Sequence, residues 1–373
     1  MAIEKINIEK FLELANQFPV IDVRSPGEYD HAHIPGALNL PLFSDEERKT
    51  VGTTYKQESR EQAIKLGLDF FGPKMSKMVE EIQSIVNSRK SIVVDSRLST
   101  KDSLLLYCWR GGMRSAGVAW LMDLYGFKVY TLIGGYKKFR NHVLDTFKLP
   151  FQFKILGGYT GSGKTEMLKA LEKQGEFVVD LEGIANHKGS AFGKLGMPKQ
   201  PRQEMFENLL AKKLNEIAKK KSEARNQNSD IRIPTWLEDE SQRIGDLNIP
   251  TVLWKRMRQS PVYFIEIPFE ERLKHVVEEY SQYDKETLVN CIERIKERLG
   301  GLETKNAIKY LDEDNYIESF RILLKYYDKW YFKSLHNRED VNSLLSIISY
   351  EKIDPQNPDL FIRQIQQQKA LSA

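Results

Sequence analysis

Phe151-Gln152-Phe153-Lys154-Ile155-Leu156-Gly157-Gly158-Tyr159-Thr160-Gly161-Ser162-Gly163-Lys164-Thr165 runs an apolar segment straight into a glycine-rich bend and a lysine. Phe151 to Leu156 predicts a buried strand, Gly157 to Gly163 a loop, and Lys164 to Lys173 a helix ended at Gly175. Gly158 to Thr165 fits the pattern G-x-x-x-x-G-K-S/T, in the strand–loop–helix context that its mechanism requires. The backbone N–H groups of Gly161, Ser162, Gly163 and Lys164 are expected to cradle phosphate oxygens at a helix N-terminus. Lys164 is expected to meet a terminal phosphate and Thr165 to hold a magnesium ion. Such a loop works with an acidic residue at the end of a neighbouring strand. Asp180, which ends Phe177-Val178-Val179, is the first choice; Asp239, within Glu238-Asp239-Glu240, is the second, with a solvated turn as its plain alternative. A polyphosphate site does not entail hydrolysis.

The pattern around this stretch is α/β. Downstream, Arg202 to Lys221 carries Met205, Phe206, Leu209, Leu210, Leu214 and Ile217 at helical spacing. Ile231–Leu237 and Val262–Ile267 are strand candidates, and beyond about residue 270 the pattern is almost wholly helical. Upstream, Pro19–Val23, Ser103–Tyr107 and Lys128–Leu132 are short β-branched or leucine-rich runs that predict buried strands. Ser115–Tyr125 predicts a helix with Ala116, Ala119 and Trp120 on one face and Gly126 as its C-cap. Strand, helix, strand in that order implies a parallel sheet with right-handed crossovers. Residues 44–95 are polar and irregular, with helix-like stretches, and read as an insertion within this domain. The expectation is two domains, 1–145 and 146–373, the second with a helical C-terminal part, divided near Lys148-Leu149-Pro150.

Cys108-Trp109-Arg110-Gly111-Gly112-Met113-Arg114-Ser115 lies between a predicted strand and a predicted helix. A loop wrapped around a thiol aims backbone N–H groups at it, and the following helix adds its positive end. With Arg110 and Arg114 nearby, the thiol pKa is expected to fall, leaving Cys108 a thiolate able to hold or deliver a group-16 atom. Gly111 and Gly112 are expected to permit the tight backbone path. Cys291, in an amphipathic segment without local glycines, reads as core.

The bulk numbers set limits. A chain of 373 residues suits two domains at roughly 100–200 residues each. With 41% hydrophobic and 29% charged residues, each half can bury a core. No apolar run reaches the ~18 residues of a membrane span. Two cysteines cannot build a disulfide framework, and the opening residues lack an apolar leader segment; a cytoplasmic location is the simplest expectation. The net charge is only +4. Its clustering says more: Lys137, Lys138 and Arg140 form one group, Lys212 to Lys221 a second, and Lys255, Arg256 and Arg258 a third. Each could be a solvated face; beside two anion-type loops they make an RNA backbone a candidate partner.

Asp22-Val23-Arg24-Ser25-Pro26-Gly27-Glu28-Tyr29, His31-Ala32-His33-Ile34-Pro35-Gly36-Ala37, the cysteine loop and Leu132-Ile133-Gly134-Gly135-Tyr136 together resemble the rhodanese superfamily. A rhodanese unit followed by a P-loop NTPase-like unit resembles the tRNA 2-selenouridine synthase family. Three further blocks, Asp180 to Gly193, Trp236 to Gly245 and Met257 to Pro261, are similar to that family's second domain. The resemblance implies a two-step exchange at the wobble 2-thiouridine of tRNA. The sulfur is prenylated by geranyl diphosphate, and selenophosphate then supplies selenium as the geranyl thiol leaves. It also implies that the basic clusters hold the anticodon stem–loop. No organic prosthetic group is expected. His187, in a glycine-flanked stretch, is a substrate-contact candidate, with a plain loop histidine as its alternative.

Other readings remain open on the residues alone. Five residues separate Cys108 from Arg114, a loop size that also suits a phosphatase or arsenate reductase, although Tyr107 stands where such phosphatases carry histidine. A sulfurtransferase with a nucleotide-binding partner domain is another, and a non-catalytic RNA-binding sensor a third.

Overall fold

The sheets of the two halves are separate, and both are wholly parallel. The computed structural model describes residues 3–90, 102–223 and 234–371, and the chain divides into two units at Thr146 and Phe147.

In the first unit the elements run β1 (Ile3–Ile6), α1 (Ile8–Leu14), β2 (Val20–Asp22), α2 (Pro26–His31), β3 (Leu38–Asn39), α3 (Asp45–Gln57), α4 (Arg60–Phe71), α5 (Met75–Lys90), β4 (Ser103–Tyr107), α6 (Met113–Tyr125), β5 (Lys128–Leu132) and α7 (Gly135–Thr146). The strand order is β1-β5-β4-β2-β3, with Ile21 opposite Leu106 and Leu106 opposite Thr131. β4 is buried along its whole length, as its unbroken leucine run requires in a sheet covered on both faces.

Two expectations for this unit need correction. Residues 44–95 are regular as far as they are described: α3, α4 and α5 follow one another, α3 beginning in a Ser44–Glu47 capping box. Phe71, Met78, Ile82 and Val86 from this segment enter the same core as Ile21, Leu104 and Val118, so the segment closes a sheet face. Positions 91–95 lie outside the described residues. On α6 the buried face is Val118, Ala119 and Met122, while Ala116 and Trp120 face outward. Ala116, Ala119 and Trp120 share only a helical sector, and the sheet takes its inner edge. Gly126 ends the helix with φ 110°, as a left-handed cap must.

The second unit contains β6 (Gln152–Gly158), α8 (Lys164–Lys173), β7 (Phe177–Val179), α9 (Leu181–Ala185), α10 (Gln203–Glu223), β8 (Pro234–Glu238), a hairpin of β9 (Arg243–Ile244) and β10 (Leu247–Asn248), α11 (Thr251–Arg258), β11 (Val262–Glu266), α12 (Phe269–Tyr280), α13 (Lys285–Arg294), α14 (Lys296–Leu299), α15 (Gly301–Asp312), α16 (Tyr316–His336), α17 (Val341–Leu344), β12 (Leu345–Ser349) and α18 (Asn357–Leu371). Its strand order is β12-β11-β6-β8-β7. The glycine-rich loop therefore leaves the central strand, in the crevice at the carboxyl ends of the strands where ligands of open α/β sheets bind. Positions 231–233 of the expected Ile231–Leu237 strand lie outside the described residues, as does the side chain of Lys221.

β12 adds a strand to a C-terminal part that is otherwise helical among the described residues, in keeping with the almost wholly helical expectation. Leu345-Ser346-Ile347-Ile348-Ser349 pairs in register with β11, Phe264 opposite Ile347. Between two helices it is too short for periodicity to separate strand from helix. The described residues of the second unit include two hydrophobic clusters. One packs Leu168 and Leu171 of α8 and Phe361 and Ile365 of α18 against Leu156, Trp236 and Ile265; the other joins α12, α13, α15 and α16, with Cys291 inside it.

Candidate functional site

The cysteine loop begins where β4 ends. Cys108 is 3% exposed. Its Sγ accepts the Gly112 N–H at 3.3 Å and lies 3.2 Å from the Ser115 hydroxyl. Since α6 starts at Met113, the sulfur sits at the positive end of a helix. What holds the loop is the closing glycine pair. Tyr136 N–H donates to the Cys108 carbonyl at 2.8 Å and Lys137 N–H to that of Trp109 at 3.0 Å. A Cβ on Gly135 (φ +57°) would stand 2.3 Å from the Cys108 oxygen, and one on Gly111 (φ +64°) 2.6 Å from the Leu132 oxygen. Gly112 differs: its φ is −101° and its Cβ position is open. The tight pair is thus Gly111 with Gly135, and Gly112 matters for its N–H.

The first rhodanese-like signature supports this loop from below. Arg24 is buried, bonded to Asp22 at 2.6–3.0 Å and to the Ala32 carbonyl at 2.7 Å. Its guanidinium lies 4.0 Å from the centre of the Tyr136 ring, with the Trp109 ring at 5.8 Å. Trp109 remains 39% exposed at the rim, as do Arg110, Lys137 and Lys138, while Arg140 is half-buried. Arg114 is engaged elsewhere than the thiol: its guanidinium grips Glu28, at 2.6 Å for the shorter contact. Burial opposes charge on Glu28, yet Arg114 and Arg48 hold its carboxyl below the usual range. The Arg114 charge is therefore matched by a carboxylate, not left free beside the sulfur.

In the second unit, Gly158, Gly161 and Gly163 all have positive φ (153°, 78° and 76°), the kind of backbone that lets successive N–H groups turn toward an anion. Lys164 Nζ donates to the Gly158 carbonyl at 2.8 Å. Ser162 is buried and its hydroxyl makes no hydrogen bond, a donor pointing within the loop. Thr165, next to Lys164 at the start of α8, is half-buried.

The loop is braced from the helical part of its own unit. Gly158 N–H donates to the Tyr331 hydroxyl at 3.1 Å, and that hydroxyl donates to Asp239 Oδ2 at 2.6 Å. Asp239 is bidentate to the buried Arg338. Burial, with Asp239 adding to it, pushes the Tyr331 phenol well above its ordinary range, so it stays a donor. On the other side Arg272 Nη1 bonds the Thr160 carbonyl at 3.2 Å, and the same guanidinium forks onto Asp328 at 2.7–2.9 Å. Tyr331 and Arg338 stand far from the loop in sequence, and no local pattern announces them.

Both expected acidic residues have other partners. Asp180 caps α9 by accepting the Gly183 N–H at 2.6 Å, and Asp239 belongs to the brace. The carboxyls in the field of Lys164 are Glu182 and Glu240, which are bonded to each other. Burial, and for Glu240 then the neighbouring Glu182, raises both from the ordinary carboxylate value, Glu240 well above it. Two half-buried acids in contact share a proton for this reason. Hydroxyl and carboxyl oxygens are of the hard type that magnesium takes. No group of three or more His, Cys, Asp or Glu positioned to hold a metal occurs among the described residues.

The remaining candidates are placed as follows. His187 is 4% exposed and wedged between backbone segments: a Cβ on Gly193 or Gly245 would stand 2.7 Å or 2.6 Å from its ring. Burial lowers its pKa, and it fills the loop interior. Arg256 bonds the carbonyls of Lys148 and Leu149. Arg258 bonds the Ser334 carbonyl at 2.9 Å and lies over Trp254. Both guanidiniums therefore tie α11 to its surroundings. No helix among the described residues is long and apolar enough to cross a membrane.

Comparison with known proteins adds the family. Residues 7–142 match the rhodanese-like domain, and residues 151–346 match the tRNA 2-selenouridine synthase AAA domain. A protein of Bdellovibrio bacteriovorus named tRNA 2-selenouridine synthase is 31% identical over 381 residues, covering 91% of this chain and 94% of that one. A protein of the same name from Hydrogenovibrio crunogenus is 35% identical, covering 86% and 90%. With a cysteine loop and a phosphate loop in the same order and relatives matched along nearly their full length, this chain belongs to the tRNA 2-selenouridine synthase family.

Proposed function

We propose that this protein replaces the sulfur of a wobble 2-thiouridine in tRNA with selenium, by way of an S-geranyl intermediate. The observation that carries this reading is the pair of anion-type loops on one chain, one centred on a sulfhydryl and one on a lysine. In the first step the thiouridine sulfur attacks C1 of geranyl diphosphate. The C–O bond breaks, diphosphate leaves and the base loses a proton. The Gly158–Thr165 loop suits the leaving group: N–H donors, the Ser162 hydroxyl and Lys164 can stabilise negative charge as it develops. A magnesium ion held at Thr165 would add neutralising charge when bound.

In the second step the selenium of selenophosphate adds to C2, made electrophilic by alkylation of the sulfur. The C2–S bond breaks and geranyl thiol departs with a proton; water then cleaves the P–Se bond and releases phosphate. The Cys108 loop is the proposed seat of the selenophosphate, its donors and helix end suited to the phosphoryl oxygens and its sulfur to a soft partner. The exposed Trp109, Arg110, Lys137 and Lys138 support an RNA contact at that rim, where an unstacked base can lie on an aromatic ring.

Purified protein, thiouridine-containing tRNA, geranyl diphosphate and selenophosphate, followed by mass spectrometry of the nucleosides, tests the scheme. Lys164→Ala should yield no geranylated tRNA, whereas Cys108→Ala should accumulate it and stall. The reverse pattern overturns the assignment of loops to steps, and absence of both products from the wild-type protein overturns the function.

A further inference from the structure

Helix α16 braces the phosphate loop with one face and carries a different chemistry on another. Tyr331 accepts the Gly158 N–H on the inner side, and Leu323, Leu324 and Leu335 are buried. Tyr326, Lys329, Trp330 and Lys333 are spaced three and four apart, so they form one patch on the outer side of the helix. Trp330 is 42% exposed, and both lysines are exposed. The Tyr326 ring meets that of Trp330 edge to face at 6.4 Å, and Lys333 Nζ lies 5.3 Å from the centre of the Trp330 ring.

Charge on this face is one-sided. From Lys325 to Asn337 the helix carries a single acidic residue, Asp328, and its carboxylate is forked onto Arg272. Lys325, Lys329 and Lys333 thus stand on successive turns with no other carboxylate in that stretch. Helix α11 adds to the positive field. Its Arg258 is bonded to the Ser334 carbonyl at 2.9 Å, Lys255 one turn earlier is exposed, and α11 contains no acidic residue. A half-exposed tryptophan flanked by lysines is poorly suited to the centre of a protein interface, where lysine is depleted. It suits single-stranded nucleic acid, whose bases stack on aromatic rings while cations follow the phosphates.

We propose that the outer face of α16, with the edge of α11, is an RNA-docking surface of the second unit. Trp330 stacks on an unpaired base of the anticodon loop, and Lys329 and Lys333 contact the flanking phosphates. The proposal rests on the reading of this chain as a tRNA-modifying protein and adds a contact that neither anion loop supplies. Because Tyr331 braces the phosphate loop from the same helical turn, RNA lying on this face is held within one helix's width of that loop.

Fluorescence anisotropy of the full-length protein with a labelled anticodon stem–loop RNA and with a blunt RNA duplex of the same length, at a series of salt concentrations, tests it. Trp330→Ala should weaken stem–loop binding about tenfold, the loss of one stacked base, and leave duplex binding within about twofold. Trp330→Phe, which keeps a stacking ring, should recover most of that loss. Lys329→Ala with Lys333→Ala should flatten the dependence of log affinity on log salt by about 1.4, ~0.7 for each phosphate contact on a single strand. Calorimetry with pyrophosphate should give the wild-type affinity for every variant. A Trp330→Ala protein that loses pyrophosphate as well has lost its packing at α16, and the two surface lysines then decide the matter. Stem–loop affinity and salt dependence equal to wild type in the tryptophan and lysine variants overturn the proposal and leave the tRNA reading intact; a wild-type protein that binds no RNA overturns that reading itself. Equal losses on stem–loop and duplex would remove the stacked base and overturn the assignment of Trp330. A Trp330→Ala protein that passes from dimer to monomer with unchanged RNA affinity would make the patch a contact between copies of this chain, which also overturns it.

Discussion

A methyl group at position 135 would press against the Cys108 carbonyl oxygen and the Gly111 nitrogen, at 2.3 and 2.4 Å. Gly135 also has φ +57°, a region that costs a residue bearing a Cβ about 1–2 kcal/mol before any clash. Gly135→Ala should destabilise the first unit by about 2–4 kcal/mol, strain and overpacking combined, and abolish selenium transfer. Gly112→Ala meets no atom within 4 Å and should cost under about 1 kcal/mol, as substitutions away from packed features do. Urea denaturation of the two variants, with the nucleoside assay beside it, checks the contrast; equal costs would mean the closing glycine is not what holds the loop. Gly111 and the cysteine are legible from eight consecutive residues. That Gly135 is the steric partner is not, because the contact joins segments brought together only by the pairing of β4 with β5.

At the scale of elements, α16 governs the phosphate loop through one phenol. Tyr331→Phe removes the acceptor of the Gly158 N–H and a donor to Asp239, leaving both short of a partner in a buried place. A loss of about 1–3 kcal/mol is expected, with pyrophosphate affinity reduced and the cysteine loop's chemistry unaffected. Denaturation and calorimetry on one preparation read both effects; unchanged pyrophosphate binding would make the brace irrelevant to the site. The carboxyl pair makes a separate, pH-dependent prediction. Glu240 holds its proton above the ordinary carboxylate range when folded, so above that range the folded state binds more protons than the unfolded one. Stability from this group is full at lower pH and is lost as pH rises toward the raised pKa, by at most about 1.4 kcal/mol per pH unit. Glu240→Gln removes that titration, so its urea midpoint should fall less than the parent's between pH 5 and pH 8. Parallel curves would show that the pair shares no proton. Asp180 and Asp239 illustrate why acidic residues at strand ends were only half readable. Strand position is encoded locally, but whether a carboxylate is free, capping a helix or paired with an arginine depends on distant elements.

On the scale of the whole molecule, the first unit has a hydrophobic core of its own in which α4, α5 and α6 cover the sheet. Residues 1–146 should therefore fold alone, with a cooperative denaturant transition and dispersed amide resonances. A fragment that stays unfolded would mean that this core is insufficient without the rest of the chain.

The sequence by itself determined the two-unit α/β organisation, the parallel strands around each loop, and the identities of Cys108, Lys164 and their glycines. Those features are carried by short-range periodicity, and by turns that only particular residues can make. The tertiary structure alone decided that the 44–95 segment enters the core as far as it is described, that β12 is a strand, and that Arg114 is matched by Glu28. It alone showed Asp239 paired with Arg338 and Glu182 bonded to Glu240. Each of these depends on which side chain meets which across tens or hundreds of residues. A buried charge is settled by its spatial partners, and spacing along the chain does not specify them.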